Sequence, residues 1–341
     1  MFEKITIKQI DTRSLACEPI LRRVENGELL CICQCDGPTE PHIKNRVYVY
    51  HSNDNGESWS EGVKIYPEDG QAVYCTEVSV EGAEITAYLT VHSGRFLDWK
   101  CLMMKSFDSG YTWKNCGTPP HFPEYTFIRG RINKSNGDIV IPYQYYPVTR
   151  EEHDRVLADP QITDKFVART NTEYCESGVL LSSDGGKSYE RYVASRMDMT
   201  DEWIWSEPTV VELSNGDLVM LMRKNGTGRL WSTRSSDGGK SWSETVMTDI
   251  PNPSNKPKLI KAGNLIALIN TPNEKLAKKK KTRNPLAIWI SDDDMKSWKY
   301  KKVLSDFPGA YCYADGIYED GHIRFTIEHN RHTILFFDVE L

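Results

Sequence analysis

The chain has no apolar run long enough to cross a bilayer as a helix, so a spanning segment is not expected. Its opening residues, Met1-Phe2-Glu3-Lys4-Ile5-Thr6-Ile7, show neither the basic nor the apolar stretch of a secretory leader. A basic patch is missing too. With a net charge of −6, no nucleic-acid partner is expected. The single lysine run, Lys278-Lys279-Lys280-Lys281, reads first as a solvated loop, with a second reading as an attractor for an acidic glycan. Disulfide and metal signatures are also absent: nine cysteines are an odd number for a disulfide framework, and none stand in a Cys-x-x-Cys spacing. Cys31, Cys33 and Cys35 alternate along one strand and so share a face. Lacking a histidine partner at ligand spacing, they read as small buried residues. No metal and no organic cofactor is expected, and a reducing, cytoplasmic setting fits best.

What the chain does contain is a repeat. Ser-x-Asp-x-Gly-x-x-Trp occurs from Ser52 to Trp59 and again from Ser106 to Trp113. Further copies run from Ser182 to Tyr189, ending in tyrosine, and from Ser235 to Trp242. The last, Ser291 to Trp298, has Met295 where glycine is expected. Each follows a short apolar strand such as Arg46-Val47-Tyr48-Val49-Tyr50 or Leu286-Ala287-Ile288-Trp289-Ile290. Serine and aspartate can hold the amides of a tight turn, glycine supplies positive φ, and the aromatic packs back under the hairpin.

Between these turns lies a second unit, two strands around a polar turn. It runs from Pro19 to Cys35, Glu77 to Val91, Arg129 to Tyr143, Pro208 to Arg223, Lys256 to Asn270 and Tyr313 to Glu328. Six units of four strands describe an all-β, six-bladed β-propeller occupying residues 1–341 as one domain. Ile5-Thr6-Ile7 and Thr333 to Val339 are natural partners for closing the ring. Only about 149–174 breaks the rhythm, and it reads as an inserted loop, possible helix in part.

The repeated turn is similar to the Asp box, or BNR repeat, of sialidases (neuraminidases), and the chain resembles glycoside hydrolase family 33 over nearly its whole length. That resemblance assigns Asp54, Asp108, Asp184, Asp237 and Asp293 to structure. It implies a substrate mouth where inner strands begin and the next strands end. There, Glu207 matches the general base and Arg223 a substrate-binding arginine; Arg283 matches a second clamp arginine and Tyr313 the nucleophile. The chemistry is coherent: a sialoside bears a carboxylate on its anomeric carbon, which repels a carboxylate nucleophile but not a tyrosine deprotonated by Glu207. Arginine forks suit the substrate carboxylate.

Two features depart from the pattern. Cys17 stands where the family places its first clamp arginine, with acidic Glu18 beside it; Arg129 and Arg131 are candidates to supply the missing cation. For the general acid, Glu40 has the better offset, with Asp36 and His42 as alternatives. His92 and Asp98 end the second unit's strand pair and are further candidates for the mouth, while Trp203, Trp205, Tyr143, Tyr145 and Tyr146 could stack on a sugar. The resemblance thus implies a retaining exo-glycosidase acting on a terminal acidic sugar of a glycan. Alternatives are a propeller glycosidase or lyase on another uronic-acid or neutral glycan, and a non-catalytic carbohydrate-binding propeller.

Overall fold

A computed structural model of the chain describes residues 1–95, 99–119, 125–159, 173–199, 204–275 and 283–341. It is a six-bladed β-propeller: six antiparallel sheets, each built from neighbouring strands in chain order except where the ring closes. Blade I holds Ala16–Arg23, Leu29–Cys35, Arg46–Ser52 and Val63–Lys64. Blade II holds Ala72–Glu81, Glu84–His92, Lys100–Ser106 and Lys114–Asn115. In blade III the inner strand comes in two pieces, Thr126–Ile128 and Ile132–Asn133, beside Ile139–Tyr145, Tyr174–Ser182 and Glu190–Asp198. Blade IV is Thr209–Glu212, Leu218–Arg223, Arg229–Ser235 and Val246–Pro251; blade V is Lys258–Ala262, Leu265–Asn270, Leu286–Ser291 and Tyr300–Ser305. Blade VI takes Tyr311–Glu319, His322–His329 and Thr333–Glu340, and borrows its outer strand, Lys4–Thr12, from the other end of the chain. Ile5 pairs with Val339 and Ile7 with Phe337, the closure expected from sequence. Between blades III's second and third strands the described residues include one helix, Arg150–Ala158.

Apolar clusters lie where the face of one blade meets the next, as when Ile32 and Val49 of blade I pack with Ala87 and Leu89 of blade II. Because both faces of middle strands are covered, they read as unbroken buried runs: Leu29–Cys35 is buried throughout. The cysteine triplet sits in this packing. Sγ of Cys33 lies 3.5 Å from that of Cys35, all three thiols are free, and no metal-binding cluster occurs among the described residues.

The five turn motifs cap the third strands of blades I to V. In the first, Ser52 Oγ donates to Asp54 Oδ1 at 2.8 Å and accepts the Gly56 amide at 2.8 Å; Asp54 also accepts the Ser58 amide at 2.9 Å. The same set recurs on Asp108, Asp184, Asp237 and Asp293. The glycine answers two demands at once. Gly56 has φ +90°, and a Cβ there would lie 2.2 Å from a Phe336 ring carbon of blade VI. Met295 keeps the hydrogen bond to Ser291 Oγ at 2.9 Å by adopting φ +64° and packs with Trp298, so its motif survives the substitution.

Two outcomes follow from the turns. Gly56→Ala should cost roughly 2–4 kcal/mol in urea unfolding, from the strained φ and the clash with buried Phe336. Donation by the Ser58, Thr112 and Ser297 hydroxyls, followed by the neighbouring amides, draws Asp54, Asp108 and Asp293 down to about 2 from an ordinary 3.8. Depressed carboxylates stabilise fully above the unfolded value and lose that contribution as pH falls through the folded one. The thermal midpoint should therefore drop between about pH 4 and pH 2, and Asp54→Asn should make that drop shallower.

Candidate active site

Inner strands begin, and second strands end, at one mouth of the axial channel, so residues at those positions are brought together from different blades. Four inner strands are entered through a non-glycine residue with its backbone in the left-handed region: Glu18 at φ +50°, Tyr125 at +62°, Glu207 at +41° and Tyr313 at +59°. Register breaks between Cys17 and Ile20 and between Cys312 and Asp315 mark the same point in blades I and VI. Such strain, of order 1–3 kcal/mol per residue, is held by the surrounding sheet.

The mouth is lined by a continuous series of charged side chains. Arg223 is at its centre. Its Nε donates to the Trp205 carbonyl at 3.0 Å and lies 2.8 Å from Glu207 Oε2; its Nη1 donates to the Ser254 carbonyl at 2.6 Å; its Nη2 donates to the Tyr313 hydroxyl at 3.4 Å. Arg283, half-buried, donates from Nη2 to the same Ser254 carbonyl at 2.7 Å and from Nη1 to Cys312 Sγ at 3.1 Å. On the other side of Glu207, Arg129 Nη2 lies 3.6 Å from Oε1, and Arg129 Nη1 donates to Glu18 Oε2 at 3.3 Å. The Glu18 amide donates to Glu328 Oε2 at 3.0 Å, and Glu328 Oε1 lies 3.9 Å from Arg331 Nε. Arg331 then pairs with Glu40 and donates to Cys17 Sγ at 3.2 Å.

Protonation follows from this arrangement. Burial, then the charge of Glu207, raises the Tyr313 hydroxyl well above the ordinary tyrosine range, so it stays protonated until a base takes its proton. Because Arg223 Nε directs its hydrogen to Trp205, Glu207 Oε2 accepts no hydrogen bond among the described residues and keeps a lone pair available. The Glu207 amide, meanwhile, is held by Gln144 Oε1 at 2.7 Å. Burial, then Glu40, pushes the Glu18 carboxyl up to about 7. Burial lowers the Lys256 ammonium, which Asp315 partly offsets. Further along the channel, Arg22 pairs with both Glu77 and Asp315, and Lys258 with Asp315.

Of the residues singled out from sequence, Glu207, Arg223, Arg283, Tyr313, Arg129, Glu18 and Glu40 meet in this one set of contacts. Arg131 does not: it pairs with Glu81 and, with Arg129, Arg22, Lys258 and Lys261, lines a cavity of about 190 Å³. The cation facing Cys17 is Arg331, from the turn before the third strand of blade VI. It mirrors Arg283, which approaches Cys312 from the equivalent turn of blade V. Asp36 accepts from the Tyr48 hydroxyl at 2.7 Å and lies 3.5 Å from Arg13, while His42 Nδ1 accepts the Lys44 amide at 3.2 Å. His92 is buried edge-on to Tyr74, and its Nδ1 accepts the Gly94 amide at 3.0 Å. Tyr143 and Tyr146 are buried, Arg191 covers Tyr145 at 4.6 Å, and half-buried Trp205 packs on Phe127 and Tyr146. Asp98, Trp203 and Lys278 to Lys281 lie outside the described residues. Sequence reading missed Arg331, Glu328 and Lys256. One signal was available for the last: inner strands open with Glu18-Pro19, Glu207-Pro208 and Lys256-Pro257, a charged residue before proline in each.

The family model described as "BNR repeat-like domain" matches residues 27–324. A curated sialidase of Bacteroides fragilis (strain YCH46) is 27% identical over 151 residues, 42% of this chain, and the chain spans 22% of that relative's length. Among solved structures, the Hadza microbial sialidase Hz136 superposes with a TM-score of 0.73 at 17% identity, over 97% of this chain and 66% of its own. A protein of unknown function from Dyadobacter fermentans DSM 18053 superposes with a TM-score of 0.71 at 14% identity, over 100% of this chain and 99% of its own. At these identities the structures establish the shared fold.

Removing Arg331 takes away the guanidinium that pairs with both Glu40 and Glu328. Arg331→Met should destabilise by about 3–5 kcal/mol, and adding Glu40→Gln should recover part of the loss in thermal denaturation.

Proposed function

The chain belongs to the BNR repeat-like domain family, and from that premise we propose that it is a retaining exo-glycosidase of sialidase type, releasing a terminal acidic sugar from a glycan. One observation carries the reading: Arg223 touches both Glu207 and Tyr313 and shares the Ser254 carbonyl with Arg283. A proton acceptor, a nucleophile and two carboxylate-binding forks are thereby joined by a single side chain.

In the first step Tyr313 Oη attacks the anomeric carbon while its proton passes to Glu207 Oε2. The glycosidic C–O bond breaks, and a carboxyl of the Glu18–Glu40 pair protonates the departing oxygen. Water then attacks the anomeric carbon of the glycosyl-tyrosine, giving a proton to that same pair; the bond to Tyr313 Oη breaks, and Glu207 returns its proton to the freed Tyr313 oxygen. Arg223 and Arg283 hold the sugar carboxylate throughout by charge-assisted hydrogen bonds. A second reading of the substrate, a related nonulosonate or a uronide rather than sialic acid, is favoured by the blade I side. There Cys17 and Glu18 face the mouth, and Arg331 is neutralised by Glu40.

Turnover of 4-methylumbelliferyl glycosides of sialic acid, related nonulosonates and uronic acids tests the mechanism. Tyr313→Phe and Glu207→Gln should each lower kcat on any accepted substrate by roughly 10²–10⁴-fold; unchanged turnover in either variant would overturn it.

A further inference from the structure

A retaining reaction needs one mouth carboxyl without its proton and another with it. Three are available, in different surroundings. Glu207 lies between two guanidiniums, 2.8 Å from Arg223 and 3.6 Å from Arg129, which suits the ionised form. Glu40 is paired directly with Arg331, which also suits it. Glu18 has a longer contact, 3.3 Å, with an Arg129 that it shares with Glu207, and it is only 7% exposed. Its backbone is in the left-handed region, and the Glu328 carboxylate fixes its amide from behind.

We propose that Glu18 is the proton donor to the departing glycosidic oxygen, and that Glu40, kept ionised by Arg331, is a positioning residue beside it. This rests on the retaining glycosidase reading and gives its acid a residue outside the family's usual place. The groups facing Glu18 come from every blade around the mouth. Glu40, Glu207 and Glu328 oppose its ionisation; Arg129, Lys256 and Arg331 favour it; Cys17, Tyr74 and Tyr313 are neutral. Burial leads, and the strongest charge effect after it is that of the Glu40 carboxylate, so the proton is retained up to about pH 7. In the forward step the Glu18 O–H bond breaks as the leaving oxygen gains the proton and the C–O electron pair. In the second step the Glu18 carboxylate takes a proton from the attacking water, restoring the starting state.

The test compares leaving groups. A sugar-linked substrate such as sialyllactose needs protonation of its leaving oxygen, whereas an acidic phenol such as 4-methylumbelliferone leaves without it. Glu18→Gln should lower kcat/KM on sialyllactose by roughly 10²–10³-fold, lower that on the aryl sialoside by less than about tenfold, and abolish a fall in rate above about pH 7. Equal losses on both substrates, or a leaving-group-selective loss in Glu40→Gln instead, would overturn the assignment. A readout free of turnover is carbon-13 NMR of protein labelled at glutamate carboxyls. A resonance titrating near neutral pH should be present in the wild type and in Tyr313→Phe, and missing in Glu18→Gln. If every glutamate titrates below about pH 5.5, the inference fails whatever the activity. If that resonance is found but no glycoside is turned over, the glycosidase reading fails, and with it Glu18's role as donor.

Discussion

The mouth of this propeller depends on buried like and unlike charges that must satisfy one another across blade boundaries. Glu40, Arg331, Glu328, Glu18, Arg129, Glu207 and Arg223 follow in sequence around it, drawn from blades I, III, IV and VI. Buried charges are costly unless paired, and breaking one pair strands its partner. The belt therefore does two things together. It ties non-adjacent blades to one another across the axis, and it fixes the protonation states of the groups that line it. Strain at Glu18, Glu207 and Tyr313 is tolerable because each of those residues is held within this network.

The fold was legible because it is written in local chemistry repeated many times. Each Ser-x-Asp turn is satisfied by atoms within a few residues, as with Ser52, Asp54 and Ser58, so a short stretch of sequence declares its own conformation. Counting such stretches gives the blades, and pairing Ile5 with Val339 closes them. Even Met295 in place of glycine left its turn recognisable, since the Ser291 and Asp293 contacts do not require the missing residue.

The site was legible only in part, for a physical reason. Glu207, Arg223, Arg283 and Tyr313 stand at fixed offsets from the polar turns, and sheet register carries those offsets to the mouth. Arg331 stands at no such offset: it sits in a turn at φ +61° and reaches Cys17, more than 300 residues away in sequence, by a long flexible side chain. Arg131 illustrates the converse. Two residues from Arg129, it points along the channel to Glu81 because the interrupted inner strand of blade III sends the two guanidiniums in different directions. Which carboxyl keeps its proton is likewise a property of burial and neighbours from several blades, and no spacing encodes it.

The borrowed outer strand of blade VI has a consequence for how the molecule is made. Lys4–Thr12 is made before every strand of blades I to V and Thr333–Glu340 after them, yet the two pair with each other. The blade carrying Tyr313, Glu328 and Arg331 is therefore complete only once Thr333–Glu340 has been made. Closing the ring and completing the charged mouth are thus a single late event, and chains ending before blade VI would carry blades I to V without Tyr313, Glu328 and Arg331.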